Sequence, residues 1–219
     1  MTRKLKIDLF TDTVCPWCLV GSVRLDKAIA GLPADVEADV ENHPFYLDPD
    51  TPPEGVLVAD KLRQKYGRDP KELWARVENE ASASGIDLDL SQQPRSYPTA
   101  KGHTLVRLAR PKGTQHALAN AIAEAYFLKH KQINDDEVLA EIATRFGFAH
   151  EEALQVIRDA DELGTSHDLA IAAARQGING VPFFVFNNQY AMSGCQPQEA
   201  FERALRTALD APQAEPLRA

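Results

Sequence analysis

The chain has 219 residues, 44% hydrophobic and 26% charged, which excludes wholesale disorder and leaves room for a core that needs no covalent staples. Its 32 acidic against 24 basic side chains give a net charge of -8. That balance repels phosphate backbones and anionic lipid, so neither nucleic acid nor membrane is expected as a general partner.

Residues 4–11 alternate apolar and polar, with Leu5, Ile7 and Leu9 on one face, which predicts a strand. Cys15-Pro16-Trp17-Cys18 follows at once. Leu19, Val20, Val23, Leu25, Ile29 and Leu32 then recur at helical spacing as far as Gly31-Leu32-Pro33. Pro16 suits the first turn of that helix, where its missing N–H costs nothing. Residues 35–42 predict a second strand, and Pro44-Phe45-Tyr46-Leu47 is expected to extend the apolar edge of the sheet. The opening therefore reads as a βαβ unit.

A turn-rich connector, Asp48 to Gly55, leads into a long stretch of helical pattern. Helices are predicted over 56–66, from Pro70 to before Gly85, from a Thr99 cap to before Pro111, from a Thr114 cap through Phe127, from Asp135 or Asp136 to Phe146, and around 150–159. Residues 88–98 read as loop. Thr165 with Asp168 three residues on resembles a capping box and is expected to start a helix closed by Gly177. Strand chemistry then returns in residues 181–186, a turn at Asn187-Asn188 and a return strand over 189–193. An amphipathic helix over 197–209 and a loose tail from Pro212 complete the order. The helical block is too long for a connection and is read as an insertion, giving an α/β domain of residues 1–54 and 165–219 around a helical unit of residues 55–164.

No stretch is long and apolar enough to span a bilayer. Arg3, Lys4 and Lys6 could open a secretory leader, but Asp8 and Asp12 interrupt the apolar run that would have to follow, so a cytoplasmic protein is expected. Three cysteines, Cys15, Cys18 and Cys195, do not make a disulfide framework. The C-x-x-C pair reads as half a zinc site or as a redox pair. The zinc reading lacks a second ligand pair, because Cys195 stands alone and none of the six histidines pairs with it, so no metal is expected. The redox reading fits better. A thiolate is the nucleophile in disulfide exchange, and the free N–H groups and dipole of a helix start stabilise an anion there. Cys15, ahead of the helix, is expected to be the exposed nucleophile. Cys18, nearly one turn on, is expected to be buried and resolving. Asp12 is read as a helix cap.

Gly180-Val181-Pro182 precedes the later strand. Taken with the C-P-W-C on a βα turn, it points to a cis Val181–Pro182 bond that leaves the Val181 backbone free to pair with a substrate chain. The later hairpin should return Gly194 and Cys195 to the same end of the sheet. Cys195 then has two readings, a small packed residue or a third thiol near Cys15.

The stretch Phe10-Thr11-Asp12-Thr13-Val14-Cys15-Pro16-Trp17-Cys18 with Gly21, Pro44 to Pro49, and Gly177 to Phe184 resembles the DsbA-like thioredoxin-fold proteins, the FrnE subgroup most of all. Ser193-Gly194-Cys195-Gln196-Pro197 also resembles that subgroup, with Cys where Ala is usual. The resemblance implies a thioredoxin-like fold with a helical insertion and thiol–disulfide oxidoreductase activity. It makes Cys15 and Cys18 the redox pair and Pro182 the cis-proline. Pro16, Trp17, Val181, Gly194 and Cys195 become candidate substrate contacts. The implied partners are protein or small thiol and disulfide substrates, with glutathione as a possible exchange partner and no cofactor beyond the redox-active disulfide. Trp17 replaces the His of strongly oxidising relatives, so a less oxidising couple is expected. Monomer and homodimer are both open. Two other readings remain: a glutathione-dependent kappa-type transferase or 2-hydroxychromene-2-carboxylate isomerase, whose relatives carry Ser where Cys15 stands and lack Cys18, and a non-redox binding or chaperone module.

Overall fold

The structure, a computed structural model, describes residues 2–211; the tail expected from Pro212 lies outside the described residues. A four-stranded mixed sheet has the order β2-β1-β5-β6. Its strands are β1 (Arg3–Thr11), β2 (Val36–Pro44), β5 (Phe183–Phe186) and β6 (Tyr190–Ser193). β1 and β2 are parallel, joined through α1 (Pro16–Ala30), whereas β5 runs antiparallel to both β1 and β6. This is the α/β, thioredoxin-like arrangement that the sequence predicts.

The alternation of β1 decides its packing. Leu5, Ile7 and Leu9 are fully buried on one face, against Leu25 and Ala28 of α1 and Phe201, Ala204, Leu205 and Ala208 of α9 (Gln198–Asp210). Phe184 and Phe186 of β5 complete that layer. β2 is also met by α4 (Ala100–Leu108), α5 (Gln115–Phe127) and α8 (Ala160–Arg175). The outer edge of β2 is satisfied by a side chain. Gln115 accepts from Asn42 N at 3.0 Å and donates to Asn42 O at 3.0 Å, as a neighbouring strand would.

The helical block also contains α2 (Val58–Tyr66), α3 (Pro70–Ala83), α6 (Asp136–Thr144) and α7 (His150–Arg158). Helices α3 to α7 share one buried cluster with Leu19 and Val20 of α1, so the first helix serves two cores. Asp135 caps α6 by accepting from Val138 N. Thr114 stands at the cap position of α5, but its hydroxyl donates to Phe146 O at 2.7 Å instead. Among the described residues no helix is long and apolar enough to cross a membrane.

Three local readings change. The expected start at Thr165 is wrong. α8 begins at Ala160, where the Asp159 carboxylate accepts from Asp161 N and Glu162 N, and Thr165 only donates back to Asp161 O. An Asp cap followed by two acids outweighs a Thr-x-x-Asp pattern that begins six residues later. The boundary placed between 164 and 165 thus falls inside a continuous helix. Val56–Leu57 (β3) is a short strand paired with Arg95–Ser96 (β4), and a single 3-10 turn covers Leu90–Gln92, both in segments read as helix or loop. A two-residue ladder is too short to leave a period in the sequence. Finally, β2 continues to Pro44 and then leaves the sheet, Phe45 N still donating to Thr11 O.

The fully buried Phe201 meets Phe184 edge-on at 5.0 Å between ring centroids. Phe201→Ala should cost about 3–5 kcal/mol, read as a lowered urea midpoint with an unchanged slope.

Candidate redox site

Cys15 is the cap residue of α1, with extended backbone, and Pro16 is the first helical residue. Its N–H is held by Asp12 O at 3.0 Å, while its carbonyl accepts from Cys18 N and Leu19 N, which locks the turn into the helix. No side chain caps this helix start; Pro16 has no N–H, and Cys18 N and Leu19 N are taken by the Cys15 carbonyl, which leaves the Trp17 N–H as the donor of the first turn. The assignment of Asp12 as a cap is therefore wrong. Its carboxylate turns inward, accepting from Leu47 N at 2.8 Å and facing His103 Nε2 at 3.4 Å. His103 belongs to α4, so a buried Asp–His contact fastens the redox turn to the helical block. Burial and the nearby Asp12 charge push the Tyr46 hydroxyl up to about 12.

From the other side comes the segment before β5. The Val181–Pro182 peptide is cis. The Cys15 thiol is directed at Val181 O at 3.8 Å, and Pro182 O accepts from Gly194 N at 2.8 Å, extending the β5–β6 ladder beyond Ser193. Gly194 has φ +75°, a left-handed conformation that suits glycine. Gly21 of α1 faces Pro182 at its back; a Cβ there would lie 3.1 Å from Pro182 Cγ and 3.3 Å from Phe184 Cζ. Cys15, Cys18, Val181, Pro182 and Gly194 thus converge at one end of the sheet.

The expectation that Cys15 is exposed is not met. It is 4% exposed, the same as Cys18, because the Val181 carbonyl lies over its sulfur. All three cysteines are free thiols. Burial, and then the neighbouring Cys15, push the Cys18 thiol well above its usual range. Cys18 consequently keeps its proton at neutral pH.

Trp17 is half-buried and packs with Val14 and Cys195 against the helical core. The Arg76 guanidinium of α3 stands 5.6 Å from the centre of its ring. Cys195 does lie at the active-site end, but burial pushes its thiol up to about 11 in spite of an Arg24 N–H at 3.5 Å. Arg24 itself is 6% exposed and links three segments. It donates to Ser84 Oγ and to Glu80 Oε2 of the α3 region, and to Gln196 O and Cys195 Sγ after β6. Sequence reasoning missed Arg24, Arg76 and His103. Arg24 had left a signal, since it falls on the apolar stripe four residues after Val20.

Asp8, Glu41 and His43 bring ligand-type atoms within 4.8 Å of one another. Their charges are already met by Lys6, 3.1 Å from Asp8, and Arg110, 3.8 Å from Glu41. Asp8 and His43 line a cavity of about 480 Å³ beneath α8, away from Cys15 and Cys18.

A free thiol pair opening the first helix of a mixed sheet, with helices packed around it, places this chain in the class of helix-rich thioredoxin-like folds. The chain belongs to the DSBA-like thioredoxin domain family, which matches residues 6–206. It is similar to the crystal structure of a probable DsbA oxidoreductase from Streptomyces coelicolor, at 32% identity and a TM-score of 0.84, covering 98% of this chain and 93% of that one. Its fold also resembles the cytosolic disulfide reductase DsbM from Pseudomonas aeruginosa with GSH, at 20% identity and a TM-score of 0.66, over 94% and 100% of the two chains. Among curated proteins it is 26% identical to the uncharacterized protein YwbO of Bacillus subtilis, over 94% of this chain and 96% of that one.

Two outcomes are expected. Gly21→Ala should destabilise the fold by about 1–3 kcal/mol, because neither a proline ring nor a buried Phe can yield freely, and thermal unfolding measures it. With its thiol near 11, Cys195 should be only about one part in a hundred thiolate at pH 9. Iodoacetamide labelling of Cys195, followed by mass spectrometry, should stay slow through pH 9 and rise about tenfold per pH unit until near 11.

Proposed function

We propose that this chain is a thiol–disulfide oxidoreductase in which Cys15 attacks and Cys18 resolves. The observation that carries this reading is the Cys15 sulfur at the uncapped start of α1, 3.8 Å from the Val181 carbonyl beside Pro182. A Cys15 thiolate attacks one sulfur of a substrate disulfide, forms the mixed disulfide and releases the other sulfur as thiolate. Cys18 then loses its proton, attacks Cys15 and releases the second substrate thiolate, leaving the Cys15–Cys18 disulfide. The net result is two electrons passed from the protein dithiol to the substrate. Run backwards, the same steps oxidise a substrate dithiol.

The raised Cys18 thiol supports this division of labour, since a protonated, buried sulfur does not compete for the first attack. Val181 and Pro182 present backbone to the substrate, with Pro16, Trp17 and Gly194 around it. Cys195, held protonated by burial, packs against the core of the helical block. The redox pair itself is the only cofactor in this reading, and glutathione is a candidate exchange partner. We place the protein with the FrnE-type members and in the cytoplasm.

Cys15→Ser should abolish exchange. Cys18→Ser should instead accumulate a mixed disulfide on Cys15, visible by mass spectrometry without reductant. Equilibration against glutathione then fixes the direction: about -120 to -180 mV marks an oxidant or isomerase, and about -270 mV a reductant. Isomerisation or conjugation that survives loss of Cys18 would favour the kappa-type reading instead.

A further inference from the structure

Among the described residues, one cation at the rim of the Cys15–Cys18 site carries no hydrogen bond or ion pair. α3 lies along α1 in the same direction, and their contacts fall in helical register. Lys27 Nζ donates to Ser84 O, and Arg24 donates to Ser84 Oγ. One turn earlier on α3, Glu80 Oε2 takes Arg24 at 2.6 Å. One turn earlier again, Arg76 stands over Trp17. Residues 76, 80 and 84 share one helix face, so each step back along α3 is a step towards the start of α1. Arg76 arrives at the C-P-W-C turn.

An exposed arginine on a helix finds its partner one turn away. Both carboxylates at that spacing are already held. Glu72 is paired with Arg68 at 3.0 Å, and Glu80 with Arg24. Among the described residues no hydrogen bond or ion pair reaches the Arg76 guanidinium, whose contact is the Trp17 ring. In a chain of net charge -8 this is an unneutralised fork, held on an aromatic face beside the nucleophile. A guanidinium 5.6 Å over a ring centre keeps its N–H groups free, and their fork matches a carboxylate in two parallel hydrogen bonds.

We propose that Arg76, seated on Trp17, receives a carboxylate of the substrate, and that the Cys15–Cys18 pair therefore selects small anionic disulfides over neutral or cationic ones. The inference rests on the exchange reading above and adds its substrate class. Glutathione disulfide, which carries carboxylates near its sulfurs, serves as the anionic probe. Hydroxyethyl disulfide is the neutral probe and cystamine the cationic one.

The test has two arms. Steady-state kcat/KM is measured for the three disulfides with wild type, Arg76→Ala and Arg76→Glu. The ratio of glutathione disulfide to hydroxyethyl disulfide should fall about five- to tenfold in Arg76→Ala, and Arg76→Glu should move the preference to cystamine. In wild type the ratio should shrink as salt rises. The second arm titrates S-methylglutathione, which cannot exchange, by calorimetry. Its affinity should fall by a similar factor in Arg76→Ala. A ratio left unchanged overturns the proposal. So does a parallel fall for all three disulfides, which would mean that Arg76 acts on the thiolate rather than on the substrate. If wild type exchanges none of them yet binds S-methylglutathione through Arg76, the exchange reading fails and the anion site stands.

Discussion

A guanidinium buried in the first helix holds the two halves of this fold in register. Arg24 cannot return to water, so every donor it carries must be answered inside the protein. The answers come from Glu80 and Ser84 on one side and from Cys195 and Gln196 on the other. A single charge thus fixes α3 against α1 and fixes the segment after β6 against both. The Gly194 N–H that closes on Pro182 belongs to that same segment. The geometry facing Cys15 therefore depends on a side chain that never approaches the sulfur. Satisfying Arg24 with Glu80 also leaves Arg76 without a partner on its own helix.

Two cysteines of the same type and equal exposure are differentiated here by place along a helix. Cys15 stands at the uncapped start of α1, and Cys18 lies inside the first turn, where burial raises its thiol. The inward turn of Asp12 contributes to that difference. A carboxylate capping α1 would have placed negative charge beside Cys15. Its carboxylate meets Leu47 N and His103 instead, and its backbone carbonyl takes Cys15 N.

Much of this was legible in the sequence because the informative features are local. The alternation of Leu5, Ile7 and Leu9, the C-P-W-C spacing and the Val181-Pro182-Phe183-Phe184 run each carry their own period or chemistry. The start of α8 was misplaced because two cap signals stand six residues apart, and the Asp159 cap wins with the acids behind it. The β3–β4 ladder was invisible because two residues carry no period. The exposure of Cys15 was misjudged because its cover, the Val181 carbonyl, comes from 166 residues away. Arg76 and His103 were missed for the same reason. Each acquires its meaning from a helix of the insertion that meets the redox turn only after folding.

Under the proposed exchange, the double membership of α1 ties redox state to resistance to heat. Leu19 and Val20 belong to the core of the helical block, and Leu25 and Ala28 to the core under the sheet. Closing Cys15 to Cys18 cross-links only a four-residue stretch, so it restricts the unfolded chain less than a long loop would, by about 2 kcal/mol. Any difference in melting between the oxidised and reduced forms combines that restriction with how well the folded turn accommodates each state. By the thermodynamic cycle, that difference is also the offset of the couple from an unstructured dithiol, at about 1.4 kcal/mol for each 30 mV. Two thermal scans, one of each redox form, would therefore locate the couple on the redox scale with no exchange partner present.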